Sequence, residues 1–213
     1  MKFKNGFTLS EILITLGVIG VVSAMTLPSV INHFQMKSYA VSFKKHYSIL
    51  QNTINYLQAE ENIRDCYVYY PGGSSYKYKI EDCEGLRMGV IEKLKLTKIK
   101  NNFKNLYSRK DVVLANGGSS INSTVWYEIT FGANDVYVFN DGAFLFLGRT
   151  QYSYVENAFW VLDVNGQKGP NKWGYDVFFM TLTQGSNGQI KLGDALASIK
   201  EKGGYYPNEI LLK

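Results

Sequence analysis

The 213-residue chain has few of the residues on which most active sites are built. Two Cys and two His are too few soft ligands for a tetrahedral zinc site or an iron–sulfur cluster. No G-x-S-x-G, H-E-x-x-H or P-loop occurs, and no Cys–His pair suggests a nucleophile, so nothing points to an enzyme. Charge is sparse as well. Asp, Glu, Lys and Arg make up 19% of the chain and leave a net charge of +5, short of the concentrated basic face of a nucleic-acid binder. What is abundant is apolar: hydrophobic residues reach 46%, which excludes a disordered chain. Aromatics reach 15%, with 16 Tyr and 12 Phe, a composition that suits strands.

The longest absence lies near the start. After Glu11 no charged residue appears until Lys37, and Ile12 to Ile31 is an uncharged run rich in Ile, Leu and Val. About 20 such residues span a hydrocarbon core of roughly 30 Å. Lys2 and Lys4 precede the run, which predicts a cytoplasmic N-terminus and an exported remainder. A plain signal anchor needs only these features. A cleaved secretory signal needs small residues after the apolar core, and Val22-Ser23-Ala24 would supply them. Neither reading accounts for Glu11, since a carboxylate at the head of a membrane helix is costly and tends to be functional.

Gly6-Phe7-Thr8-Leu9-Ser10-Glu11, after a short basic leader and before a long apolar helix, resembles the type IV prepilin and pseudopilin family. The resemblance covers about the first 35 residues. It implies that a membrane-embedded prepilin peptidase cuts after Gly6 and that the new terminal Phe7 is N-methylated. It also implies that Glu11 faces the terminal ammonium of a neighbouring subunit in a filament core, where each charge is cheaper paired than alone. Pro28 matches a Pro that prepilins carry at this point, and it should loosen the preceding turn. Gly17 and Gly20 permit close helix approach, although their spacing is not that of the common dimer motif.

Beyond Ile31 the pattern turns amphipathic. Met36, Ala40, Phe43, Tyr47, Leu50, Ile54 and Leu57 alternate spacings of four and three, which traces one helical stripe. A helix from about Leu9 to Glu61 would be roughly 80 Å long. The stripe reads as packing against the protein's own sheet, with a two-helix coiled coil as the alternative. His33 and His46 read as exposed or interfacial, not as ligands.

Residues 62–89 read as a loop region with Cys66 and Cys83 near its ends and a Pro71-Gly72-Gly73 turn between them. In an exported protein two Cys most simply form one disulfide, with a redox-active pair as the alternative. Strands are expected at 125–131, 136–139, 143–147, 159–164, 177–183 and 190–192, with a hairpin turn at Asn140-Asp141-Gly142. A short helix is expected at 194–200. One long helix followed by regular strands gives an α+β class, with the helix packed through its second half on an antiparallel β-sheet head. That is also the pilin-like layout. The expected divisions are a leader over 1–6, a transmembrane or filament-core helix over 7–31, an amphipathic helix over 32–61 and a head over 62–213.

Between the fourth and fifth of these strands, Asp163, Asn165, Gln167, Asn171 and Asp176 bring five side-chain oxygens into one Gly-rich loop. Such hard ligands suit Ca²⁺, but the loop fails the EF-hand pattern: Gly166 comes too early and no Glu closes it. The other reading is a turn whose Asx side chains satisfy their own backbone. A similar run occurs in the heads of many prepilin-like proteins, and some pseudopilins bind calcium in a C-terminal loop. Lys93, Lys95, Lys98, Lys100 and Lys104, near Phe103 and Tyr107, could touch DNA or an anionic polymer, but a solvated charged face is the simpler account, and the sequence reads against nucleic acid as a partner.

Together with these features the resemblance implies a structural subunit of a type IV pilus, a type II secretion pseudopilus or a DNA-uptake pilus, expected to be held in the cytoplasmic membrane until it is extracted. Its expected partners are prepilin peptidase, other pilin-like subunits, an inner-membrane assembly platform and membrane lipid. The rival is a monomeric binding module, membrane-tethered or secreted, with no filament role.

Overall fold

The computed structural model describes residues 6, 8–69, 77–99, 112–114, 136–147, 159–193 and 199–212. The chain divides into two compact units, Met1–Ser38 and Tyr39–Lys213. Helix α1 (Leu9–Glu60) begins in the first and ends in the second.

Within the first unit α1 is apolar and solvent-facing. Leu13, Ile14, Leu16, Val18, Ile19, Val21 and Val22 all keep more than half of their surface exposed. Its most apolar stretch of 18 residues has a mean hydropathy of 2.0 and buries none of them, so this helix is long and apolar enough to cross a membrane. A helix apolar on every side lacks the polar face that a helix in water presents. The Thr15 and Thr26 hydroxyls donate to the carbonyls of Ile12 and Val22, which spares them from facing an apolar surround unpaired. The helix assignment runs unbroken through Pro28.

The second unit has a conventional core. Phe43, Leu50, Ile54 and Leu57 are fully buried along one face of α1, while Ala40 and Tyr47 are partly buried beside them. The stripe is therefore spent on the protein's own sheet. The Phe43 and Phe178 rings lie 4.4 Å apart. His46 corrects the sequence expectation: it is 1% exposed, because three residues after Phe43 and four before Leu50 place it on the same inward face.

Strands β1 (Tyr67–Tyr69), β2 (Lys77–Lys79), β3 (Thr97–Ile99), β5 (Val136–Val138), β6 (Phe144–Leu147), β7 (Phe159–Asp163), β8 (Val177–Gln184) and β9 (Ile190–Gly193) form one sheet. Its order is β2-β1-β8-β7-β6-β5-β3, with β9 also paired to β8. The pairings are antiparallel except β1 with β8, which is parallel at Val68 and Thr183. The sheet is thus mixed where the sequence predicts an antiparallel one, because β1, inside the segment whose sequence predicts a loop, pairs parallel to β8. A separate pair joins β4 (Val112–Leu114) to β10 (Ile199–Glu201).

Helix α1 also reaches β9 with polar groups. Gln51 Oε1 accepts the Leu192 N–H and its Nε2 donates to the Ile190 carbonyl, both at 2.9 Å. Gln58 Oε1 accepts the Ile190 N–H at 2.8 Å, and Tyr47 donates to the Leu192 carbonyl at 2.8 Å. Main-chain groups that a bare strand edge would leave to solvent are thereby capped by side chains.

Other local expectations fare unevenly. Residues 62–89 hold β1, β2 and most of helix α2 (Cys83–Lys93) instead of a plain loop. Ile199 and Lys200, expected at the end of a helix, lie in β10, where Val113 and Leu114 pair with them; 194–198 and the strand expected at 125–131 fall outside the described residues. A short helix α3 (Pro207–Leu211) ends the fold.

Candidate processing and assembly site

The start of α1 is built by side chains that work on the backbone. The Thr8 hydroxyl accepts the Glu11 N–H at 3.2 Å, and Glu11 Oε2 accepts the Thr8 N–H at 2.7 Å and the Thr8 hydroxyl proton at 2.8 Å. This reciprocal pair is a capping box, Thr at the N-cap and Glu at the third helical position, and it satisfies two N–H groups that a helix start leaves orphaned. The helix therefore begins at Leu9, and Gly6 lies outside it, exposed, with nothing within 4 Å of where a side chain would sit. Phe7 lies outside the described residues.

The residues proposed for calcium meet only in part. Asp163 and Asp176 are fully buried at the two mouths of the β7–β8 loop, while Gln167 is exposed. Asp163 Oδ1 accepts the Asn165 N–H at 3.1 Å; the two Asp176 oxygens accept the N–H groups of Asn171 and Lys172, each at 2.8 Å. Asn165 Nδ2 donates to the Gly169 carbonyl. Burial pushes the Asp176 carboxyl up, against the pull of its N–H donors. These acids are engaged in holding a turn. The buried Asn165 Oδ1 and Asn171 Oδ1 accept no hydrogen bond, and they are the oxygens a cation could still use. No group of three His, Cys, Asp or Glu that could hold a metal exists among the described residues.

Gly166 and Gly174 adopt positive φ, +65° and +78°. A Cβ on Gly166 would come 2.4 Å from the Gly142 carbonyl oxygen, so the β7–β8 loop and the β5–β6 turn abut. The loop is also tied to α1: Tyr39 donates to the Gly169 carbonyl at 3.3 Å and Ser42 to that of Val164 at 3.2 Å.

Residues 1–27 match the family model described as the prokaryotic N-terminal methylation motif. The chain carries a prepilin-type N-terminus. The match is consistent with a type IV prepilin-like protein, and it spans Gly6, Phe7, Glu11 and the first four-fifths of the uncharged run. No curated protein and no solved structure matches the chain. A prepilin-type N-terminus implies processing by prepilin peptidase and association with pilin-like subunits, and the apolar helix fits membrane anchoring with an exported head.

Within the second unit Cys66 and Cys83 form a disulfide, their Cα atoms 4.7 Å apart. It ties the chain leaving α1 to the first residue of α2, and both sulfurs are buried. Closing a loop of 17 residues contributes about 3 kcal/mol by restricting the unfolded chain. Beside it the Asp82 carboxylate accepts the N–H groups of Arg64 and Asp65, which hold it below the ordinary carboxylate range.

Two functional features escaped the sequence reading. Thr8 carried a visible signal, the T-x-x-E spacing of a capping box, masked by the stronger family motif. The second is a polar cluster around His46. Asp141, in the β5–β6 turn, accepts Lys45 Nζ at 2.5 Å and His46 Nε2 at 3.1 Å. Burial would raise the Asp141 carboxyl, but these two donors outweigh it and hold it at about 2. Partners 95 residues apart leave no signature that spacing could find.

Proposed function

We propose that the protein is a prepilin-like structural subunit, cleaved between Gly6 and Phe7, N-methylated at Phe7 and built into a type IV pilus or a type II secretion pseudopilus. The observation that carries this reading is Glu11 at the head of an uncharged, exposed helix, inside a matched methylation motif. In lipid the carboxylate and the new terminal ammonium are each costly, and pairing between subunits offsets that cost. The head of one subunit, residues 62–213 with the amphipathic 32–61 packed on it, then follows a helix of residues 7–31 that exchanges lipid for sister helices. Prepilin peptidase, an inner-membrane assembly platform and further pilin-like subunits are the partners this requires. No residue is assigned a catalytic role.

The N-terminal mass of the chain recovered from membranes tests the processing step. The expected mature species begins at N-methyl-Phe7. A species beginning at Met25 would replace this reading with a secreted binding module.

For the β7–β8 loop we favour the structural turn, since both buried carboxylates accept main-chain N–H groups. The expected outcome is a melting temperature that is the same in Ca²⁺ and in chelator. The two unpartnered amide oxygens favour the second reading, a calcium site. It would be restored by a Ca²⁺-dependent rise in Tm that Asp163→Ala removes.

A further inference from the structure

Exposed charge in the second unit is sorted along α1. Between Tyr39 and Glu60 the helix carries Lys44 and Lys45 and no acid. Its far end runs into the exposed Glu60 and Glu61, and the segment tied there by the disulfide adds Glu81 and Glu84, with Arg64 and Lys79 among them. About 24 Å of helix separates Lys44 from Glu60.

The near end is widened by the β7–β8 loop, which Tyr39 and Ser42 tie to α1 through the Gly169 and Val164 carbonyls. The loop apex, 167–170, is exposed and contributes Lys168; Lys172 follows, also exposed. The acids at this end are already engaged. Asp163 and Asp176 are fully buried and accept main-chain N–H groups, and Asp141 accepts Lys45. Among the described residues none of Lys44, Lys168 and Lys172 is in an ion pair. The Lys172 ammonium lies 5.7 Å over the Tyr175 ring, a contact that keeps its charge.

This end is also the one the chain enters first. Tyr39 follows Ile31, the last residue of the uncharged run, by eight residues of unbroken helix. That is about 12 Å, against a headgroup layer of roughly 6 Å on each side of a hydrocarbon core. With Ile31 at the edge of the core, the lysines just beyond Tyr39 stand within about a Debye length of the headgroups.

We propose that Lys44, Lys168 and Lys172 form a basic face that docks the second unit on the phosphates of anionic lipid while the apolar helix spans the bilayer. The proposal rests on the membrane anchoring read above. Ammonium groups on flexible stems suit phosphodiesters that offer charge without fixed geometry. The same surface repels the acidic far end, so the two ends together set which side of the unit faces the bilayer. The acidic end of a second copy is complementary as well, but lipid is within reach of every single copy through its own helix, before any assembly.

The test uses the full chain in bilayers. It has no free cysteine, so Gln167→Cys at the loop apex takes a single bimane label. Quenching of that label by trace lipid carrying a headgroup nitroxide is compared in phosphatidylcholine and in a mixture with phosphatidylglycerol. Quenching should rise at least about twofold with the anionic lipid and fall back in about 0.5 M NaCl. Lys44→Arg, Lys168→Arg and Lys172→Arg together should keep the rise. Lys44→Gln, Lys168→Gln and Lys172→Gln together should remove it and leave Tm unaltered, because all three side chains are exposed. Equal quenching in both bilayers would overturn the proposal, as would a rise that the three Gln changes retain. A rise that follows protein density instead of lipid charge would assign the lysines to a second copy. Extraction with alkaline carbonate separates the two levels. A chain washed off the bilayer overturns membrane anchoring and this proposal with it; a retained chain with equal quenching overturns this proposal alone. If the chain with three Gln changes does not fold, the lipid and salt series of the labelled chain still decides.

Discussion

Glu11 is given two tasks by one carboxylate, and the two can be separated. Locally it completes a capping box with Thr8, accepting its N–H and hydroxyl proton. In the assembly proposed above it would be the partner of a terminal ammonium. A Gln at the same position supplies an amide oxygen for the cap, since Glu and Gln both serve there, but it carries no charge. Glu11→Gln is therefore expected to leave the helix content of the subunit unchanged by circular dichroism. Its filament yield should fall by at least about tenfold, because one buried charge loses its partner. Glu11→Ala should also weaken the start of the helix. Normal filaments from Glu11→Gln would leave capping as the residue's whole contribution.

Asp141 gives the acid side of the same kind of argument. Its carboxyl is held at about 2, below the roughly 3.9 of an unfolded chain. A depressed carboxylate stabilises the fold above the unfolded value, and that contribution disappears as pH falls from about 4 towards 2. The side chain is 40% exposed, so solvent screening reduces the effect to on the order of 1 kcal/mol. Acid titration of Tm should accordingly show a step of a few degrees between pH 4 and pH 2. Asp141→Asn should start from a lower Tm near neutrality and lack that step.

At the scale of elements, legibility follows the range of the interactions that decide each one. Helix α1 was readable almost to the residue, Leu9 to Glu60 against an expected end at Glu61, because its pattern repeats over many turns. Strands β5 to β9 were readable too, since Val, Phe, Tyr and Trp sit between turn residues there. The Asn140-Asp141-Gly142 turn does join β5 to β6. The segment after α1 was not readable. Helix α2 holds two glycines and follows no clean stripe; it is held from outside, by the disulfide at Cys83 and by the buried Arg87, which bonds Glu84 and the Tyr137 hydroxyl. Strand β1 is three residues long, with β2 and β8 for partners, the latter more than a hundred residues away. Such short elements are set by tertiary context, which local propensity does not encode. The N-terminal methylation motif was legible for the opposite reason: it is a run of linear sequence, so its information is local. The β7–β8 loop was half legible, as its composition suits a cation and a self-bonded turn equally until the N–H partners of Asp176 are known.

At the scale of the whole molecule, the two halves of α1 differ in what they lean on. Among the described residues, all the buried hydrophobic ones lie between Phe43 and Ile210, and none precedes them. The exposed apolar residues of the first unit thus build no core of their own among the described residues, and in the proposed assembly lipid or other copies would cover them. Core, disulfide, glutamine contacts to β9 and the His46 cluster all belong to Tyr39–Lys213. A chain beginning at Tyr39 should therefore fold cooperatively in water without detergent, with a Tm within a few degrees of the full chain in micelles. It should sediment as a monomer, having lost the segment proposed to exchange lipid for sister helices. A truncated chain that has no cooperative transition would mean that residues before Tyr39 stabilise the head. One that still forms filaments would move the assembly surface from the apolar helix to the head.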